Sequence, residues 1–401
     1  MPERESNLFA TRRTFVAGIG STAASLLLAG CAPHASSAPR GSGYHAPALH
    51  VGGDRSLKAQ AAQHHLLTGF ALSMQELRDS EAYRRTVREQ SSIAVAENAM
   101  KWAALRPSPG QFHFEDADEL LRFCETEHIK LRGHNLCWHE SLPPWFETTV
   151  NASNARSVLT EHIRVVAGRY AGRLHSWDVV NEAIEVKDGR PDGLRNSPWL
   201  KLVGENYIEV AFRAAREADP AALLTYNEYG IEGESQADAA KRAATLLLLR
   251  RLKQRHVPID AVGIQSHIRA HEMPAYGASL RSFIQSCREM DLEVFITELD
   301  VDDRSLPTQP EMRDAGVAET YRKYLELVLA EPNVRAVLMW GVDDGHTWLT
   351  RTKARQDGKP QRPLLFDGTL RAKPALAAVT QSFAEARPLP TLHPVTAPRL
   401  R

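Results

Sequence analysis

Two glutamates, Glu182 in the run HSWDVVNEAI and Glu298 in VFITELDV, stand among strongly apolar neighbours. A carboxylate in such a setting is costly unless it is used or paired. Two carboxyl groups flanking a glycosidic bond can cleave it: one protonates the leaving oxygen while the other attacks the sugar or activates water. Structural ion pairing is the competing account of the same two residues, and their spacing alone does not separate the two. Asp300 lies two residues beyond Glu298, on the same side if the segment is a strand. His267 could bridge Glu298 and Asp300 by hydrogen bonds and orient Glu298; a satisfied buried histidine is the plainer alternative. Trp102, Trp138, Trp340 and Trp348 could offer flat faces to sugar rings, with Asn, Gln, Lys and His donors for hydroxyls. Trp177, Trp145 and Trp199 read instead as core filling.

Residues so far apart in sequence need a scaffold that brings them together. Short apolar, β-branched runs at 65–71, 92–97, 130–138, 174–181, 223–228, 261–267, 293–301 and 334–341 alternate with amphipathic stretches. The stretches at 155–170, 200–219, 237–256, 318–331 and 373–384 place apolar residues three and four apart, as helices do. Eightfold strand–helix alternation predicts a single catalytic domain of α/β class, a (β/α)8 TIM barrel. A doubly wound open sheet is the runner-up, but it usually carries a glycine-rich phosphate turn after its first strand, and Gly69-Phe70-Ala71-Leu72 is no such turn. Glu97, Asn98, His134, Trp138, His139, Asn181, Glu182, Asn227, Glu228, Gln265, His267, Glu298, Asp300 and Trp340 all fall in or just after the C-terminal ends of these strands. In a barrel those ends converge on one mouth, where active sites are built.

The 401 residues carry 49 Lys+Arg against 49 Asp+Glu, and this balance argues against nucleic acid as the main partner. Four cysteines are too few for a disulfide framework. The N-terminus has Arg12-Arg13 followed by an apolar run to Leu28-Ala29-Gly30-Cys31. The first part resembles a twin-arginine export signal and the second a lipobox, with cleavage before Cys31 freeing it for lipidation. Gly18-Ile19-Gly20-Ser21-Thr22-Ala23 fits a dinucleotide fingerprint on paper, but it lies in this segment with no strand before it. The expected organisation is a signal at 1–30, a flexible tether at 31–55, the barrel at 56–386 and a disordered tail at 387–401. The chain is expected to be exported, as a periplasmic or cell-envelope lipoprotein or a secreted protein. Its only membrane link would be the lipid on Cys31. The remaining Cys124, Cys137 and Cys287 form an odd trio of which two at most could pair.

Several motifs in order carry a resemblance: ENAMKW at 97–102, RGHNLCWHESLPPW at 132–145, WDVVNEAI at 177–184, GIQSHI at 263–268, ITELDV at 296–301 and WGVDDGHTW at 340–348. With the stretch at 194–220, the chain from about 60 to 385 resembles glycoside hydrolase family 10, the retaining endo-β-1,4-xylanases. The resemblance implies that Glu182 is the general acid/base and Glu298 the nucleophile. It implies that Asn181 binds the 2-hydroxyl of the sugar being cleaved, with His134, Trp138 and His139 around that sugar. Glu97, Asn98 and Lys101 would hold the next sugar on the non-reducing side. Gln265 and His267 would position Glu298, Asp300 would support them, and Trp340 and Trp348 would form a platform or lid. Retention implies carboxyl groups about 5–5.5 Å apart, and repulsion from Glu298 would raise the pKa of Glu182. The chain departs from the family at Asn135 and Cys137, usually Thr and Val, and at Glu140, often Ser. It departs too at Glu228, where the family has Asp in an Asn-Asp-Tyr run, and at Gly345.

The substrate implied is xylan or xylo-oligosaccharides, handled by a monomer without cofactor or metal. A β-1,4-glucanase on the same barrel is one alternative, since two-carboxylate chemistry does not see the C6 hydroxymethyl group. A non-catalytic glycan-binding lipoprotein is another, and the presence of both glutamates counts against it. A metal-dependent hydrolase is disfavoured although the chain has 16 histidines, because no His-x-His pair occurs in the body.

Overall fold

The computed structural model describes residues 52–270 and 276–387. The expected signal, Cys31, nearly all of the tether and all but the first residue of the tail lie outside the described residues. Nine strand segments run through the body: β1 (Leu67–Leu72), β2 (Ile93–Ala96), β3 (Lys130–His134), β4 (Ser176–Asn181), β5 (Leu223–Glu228), β6 (Ala261–Ile264), β7 (His267–Arg269), β8 (Glu293–Asp302) and β9 (Val334–Met339). All pair in parallel, β1 with both β2 and β9, and β6 with β8, which closes the sheet into an eight-stave barrel. The short β7 continues the stave of β6 along the upper part of β8, with His267 opposite Asp300. Helices fill the crossovers, as parallel strands require.

Parallel strands covered on both faces bury alternate residues in two different places. Ala71, Ile93, Val95, Ala261, Phe295, Ala336 and Leu338 fill the barrel interior. Their neighbours Ala94, Ala96, Val294, Ile296, Val337 and Met339 point outward, into the layer under the helices. The helix Ala155–Arg169 shows the matching period, burying Leu159, Ile163 and Val166 at spacings of four and three.

Three expected elements differ in detail. The single helix at 200–219 is two, Pro198–Val203 and Tyr207–Ala218, parted at Gly204, whose φ of +91° ends the first. The strand at 130–138 stops at His134. Residues beyond it still run beside β4, with the Leu136 N–H donating to the Asp178 carbonyl, but outside a regular ladder. The strand at 261–267 breaks at Gln265-Ser266, where Ser266 takes a left-handed φ of +67°.

Two register shifts shape the mouth of the barrel. One lies between Asp178 and Val180 in β4, the other between Ile296 and Leu299 in β8. A bulge turns successive residues toward the same side, and here Thr297 and Glu298 both reach Asn227 inside the mouth. Cys124, Cys137 and Cys287 are buried and unpaired. Among the described residues no helix is long and apolar enough to cross a membrane.

Candidate active site

A cleft of about 840 Å3 opens at the C-terminal end of the barrel. Glu97, Asn98, Lys101, His134, Trp138, His139, Asn181, Glu182, Gln265, His267, Glu298, Trp340 and Trp348 all line it. Asp300 does not; it is fully buried behind His267 and Trp348. Trp102, expected at the mouth, is also buried away from the cleft. Its indole N–H donates to the Leu136 carbonyl at 2.7 Å, and its ring stacks on His162 with 3.6 Å between centroids. The aromatic signal that grouped it with the other tryptophans carried no information about which face of the chain it occupied.

Glu298 is held from two sides. Asn227 donates from Nδ2 to Glu298 Oε1 at 2.8 Å, and His267 Nε2 lies 3.2 Å from Oε2. The other nitrogen of His267 is 2.9 Å from Asp300 Oδ1, whose second oxygen accepts the Trp348 indole N–H at 2.8 Å. With a carboxylate at each ring nitrogen, both nitrogens must donate, so His267 is an imidazolium. Burial opposes this charge, but Asp300 and then Glu298 more than offset it and raise the His267 pKa to about 10. Burial alone would likewise push the Glu298 carboxyl up. The His267 hydrogen bond, the electrostatic influence of the neighbouring His134 and His267 rings and the Asn227 donor outweigh it, and the pKa falls below the ordinary value.

Glu182 sits just past β4 with a φ of +56°, a left-handed conformation uncommon outside glycine. Its main chain is held at both ends, the N–H donating to the Asn227 carbonyl and the carbonyl accepting from Arg195 Nε, each at 2.9 Å. Its Oε1 accepts from Gln265 Nε2 at 3.0 Å and from Asn181 Nδ2 at 3.2 Å, and its Oε2 accepts from the Trp138 indole at 2.9 Å. Burial raises its pKa, and the negative charges of Glu228 and then Glu298 add to this. The expected repulsion from Glu298 does raise it, but desolvation is the larger cause and Glu228 is the stronger of the two charges.

The two glutamates therefore share a cleft but hold opposite protonation preferences. A chain of amides joins them, because Asn227 Nδ2 also donates to Asn181 Oδ1, which lies 3.4 Å from Gln265 Nε2. Gln265, expected to position Glu298, touches it through the main chain, its carbonyl accepting the Glu298 N–H at 3.0 Å. Its side chain serves Glu182 instead.

The rest of the mouth is built around aromatic faces. Lys101 Nζ stands 5.4 Å from the centre of the Trp138 ring and 5.9 Å from that of Trp340, and donates to Asn98 Oδ1 at 3.1 Å. Burial pulls the Lys101 pKa down against the pull of Glu298 and Glu97, and burial raises that of Glu97. His134 Nδ1 is 3.0 Å from Asp178 Oδ2, and the other oxygen of Asp178 binds the interior Arg132. His139, 4.0 Å from Glu182, is pushed down to about 4 by burial and by Arg195 and Lys241, and is neutral near pH 7.

Several residues around Glu182 escaped assignment from sequence. Glu228 is fully buried, its Oε2 accepting from the Tyr226 hydroxyl at 2.5 Å and from the Ile184 N–H at 3.1 Å. Lys241 reaches its Oε1 at 2.9 Å and lies 3.3 Å from the centre of the Tyr229 ring. The Tyr229 hydroxyl accepts from Arg195 at 2.9 Å, which completes a ring of contacts around the Glu182 main chain. The run Asn227-Glu228-Tyr229 at a strand end was a signal for Glu228 and Tyr229. Nothing local in sequence marks Arg195 or Lys241. Among the described residues no group of three or more His, Cys, Asp or Glu side chains could hold a metal ion.

A family model described as Glycosyl hydrolase family 10 matches residues 56–382. Endo-1,4-beta-xylanase A of Thermoanaerobacterium saccharolyticum is 34% identical over 326 residues, covering 78% of this chain and 26% of that protein. The chain thus spans about a quarter of the length of that relative. Endo-1,4-beta-xylanase B of Paenibacillus barcinonensis is 36% identical over 295 residues, covering 70% of this chain and 85% of the relative. The crystal structure of xylanase 10B from Thermotoga petrophila RKU-1 in complex with xylobiose superposes with a TM-score of 0.73 at 31% identity, covering 82% of this chain and 97% of that one.

Proposed function

Because this chain belongs to glycosyl hydrolase family 10, we propose that it is a retaining endo-1,4-β-xylanase acting on internal bonds of xylan and xylo-oligosaccharides. The observation that carries the reading is the pairing of Glu182, held toward its neutral form, with Glu298, held as the carboxylate, in one cleft. Those are the starting states that a double displacement needs.

In the first half-reaction Glu298 attacks the anomeric carbon and Glu182 gives its proton to the leaving oxygen, forming a covalent glycosyl-enzyme. Negative charge then leaves Glu298, so the pKa of Glu182 falls and the carboxylate left after proton transfer is ready to deprotonate the water that releases the sugar. His267 and Asn227 keep Glu298 ionised and aimed. Asn181, donating to Glu182 and placed beside Glu298 through Asn227, takes the 2-hydroxyl of the sugar under attack. His134, Trp138 and His139 surround that sugar, Glu97, Asn98 and Lys101 hold the next one, and Trp340 and Trp348 supply its platform. The protein works as a monomer, and Arg12-Arg13 and Leu28-Ala29-Gly30-Cys31 support export with Cys31 lipidated. Sedimentation velocity and the mass of the mature N-terminal peptide check those two points.

The test compares reducing-sugar release from linear xylan and from cello-oligosaccharides. Xylan turnover is expected to dominate, and equal or higher rates on the glucan would overturn the substrate. Glu298→Gln should lose at least about a thousandfold in turnover; normal turnover would remove it as nucleophile. Glu182→Ala should lose xylan hydrolysis yet keep rapid release of a dinitrophenolate, which leaves without a proton.

A further inference from the structure

Two cations in the wall of the cleft have no task in cleaving a neutral chain. Arg351 and Lys353 follow closely on Trp348, and both line the cleft. Among the described residues neither has a carboxylate partner in an ion pair, whereas cations nearby in the same segment do: Arg355 pairs with Asp357, Arg362 with Asp314, and Lys373 with Asp344. Lys353 Nζ stands 5.5 Å from the centre of the Trp348 ring, and the positive charge of Arg351 is felt at Glu97. The pair therefore flanks the platform and the part of the mouth that holds the sugar on the non-reducing side.

The turn that carries them is anchored from behind. Gln361, fully buried, donates from Nε2 to the Lys353 carbonyl, and its Oε1 accepts the Asp303 N–H at 3.0 Å. Its own N–H donates to Thr350 Oγ1 at 3.1 Å. A held turn that presents a guanidinium and an ammonium beside an aromatic face suits a sugar whose ring stacks while its carboxylate pairs. A neutral pentose backbone has no such group, so the carboxylate has to come from a branch.

We propose that Arg351 and Lys353 form a recognition site for a uronic-acid branch on a sugar bound on the non-reducing side of the scissile bond. This rests on the xylanase reading. The site favours acid-branched over neutral substrate by attraction between opposite charges at the open cleft wall, where Arg351 is exposed and Lys353 half-buried, and salt weakens it.

The test uses the full chain and the double variant Arg351→Gln/Lys353→Gln on three substrates: glucuronoxylan, the same polymer with its carboxyl groups reduced to alcohols, and linear xylohexaose. The wild type is expected to show kcat/KM about three- to tenfold higher on the acidic polymer than on its reduced form, a preference that about 0.5 M NaCl removes. The double variant should lose that preference and stay within about twofold of wild type on xylohexaose. Equal losses on all three substrates, an unchanged preference in the variant, or no preference in the wild type would each overturn the site. Failure of the wild type to cleave xylohexaose would overturn the xylanase reading itself, an outcome distinct from those three.

Discussion

Removing the Asn227 carboxamide gives the sharpest test of how the cleft sets its two carboxyl groups. Asn227 is fully buried and makes three side-chain hydrogen bonds: to Glu298 at 2.8 Å, to Asn181 at 2.8 Å, and from Thr297 Oγ1 at 2.7 Å. A bond to a charged group contributes about 1.5–3 kcal/mol and each of the two neutral ones about 0.5–1.5 kcal/mol, so Asn227→Ala should destabilise the fold by about 2.5–6 kcal/mol. The bond to Glu298 favours its carboxylate over the neutral acid. Losing it raises the Glu298 pKa, and at about 1.4 kcal/mol per unit the rise is about one unit or somewhat more. Glu298 must be ionised to attack, so the acid limb of kcat/KM, which reports the free enzyme, moves up by that amount. The alkaline limb, set by Glu182, should move far less. The assay is kcat/KM on an aryl β-xylobioside across about pH 3–8, with melting followed by circular dichroism. Asn227→Ser, which is gentler on the fold, should shift the limb in the same direction by a smaller amount. A folded variant whose acid limb stays in place would refute the role of Asn227 in keeping Glu298 ionised.

Three further outcomes rest on the same contacts. His267 is raised from an ordinary 6.5 to about 10, so its contribution to stability is complete below about pH 6.5 and disappears as pH climbs through 10. The gap in melting temperature between wild type and His267→Gln should therefore be widest near pH 6 and should narrow steadily toward pH 10; a constant gap contradicts the ion pairs. Trp138→Phe removes a donor to the Glu182 carboxylate, so the alkaline limb of kcat/KM should shift to higher pH by up to about one unit, and a downward shift would contradict the geometry. A Cβ at Gly263 would lie 2.1 Å from Asn227 Oδ1, so Gly263→Ala should cost about 1–3 kcal/mol by denaturant titration and lower kcat as Asn227 is displaced. Unaltered stability and kcat would show that the amide has room to move.

The barrel was readable because its signal is periodic and local. Runs of buried, β-branched residues at 93–96, 261–264 and 334–339 are covered on both faces wherever the strand sits, so their apolar character does not depend on the closure of the sheet. The breaks were harder to read. Gly204 interrupts an apolar pattern that continues on both sides of it, and the turn at Ser266 falls inside a run that alternates correctly. Helical and strand periods cannot report a single residue that takes a left-handed φ.

Sequence by itself determined the chemistry on offer: two glutamates in apolar strand ends, the His267 and Asp300 that could support one of them, and the polar and aromatic residues of the mouth. Those residue types are expensive to bury unless they interact, so their mere presence at strand ends was informative. Only the tertiary structure decided who meets whom. Asn227 reaches Glu298 across 71 residues of chain, the Gln265 side chain turns to Glu182, and Glu228 rather than Glu298 is the stronger negative charge on Glu182. It also sank Trp102 into the core while Trp138 and Trp340 stayed in the cleft. Closure of the sheet sets which strand ends are neighbours, and the bulges in β4 and β8 set which side chains face inward there. Both are cross-strand properties that no spacing along a single strand encodes.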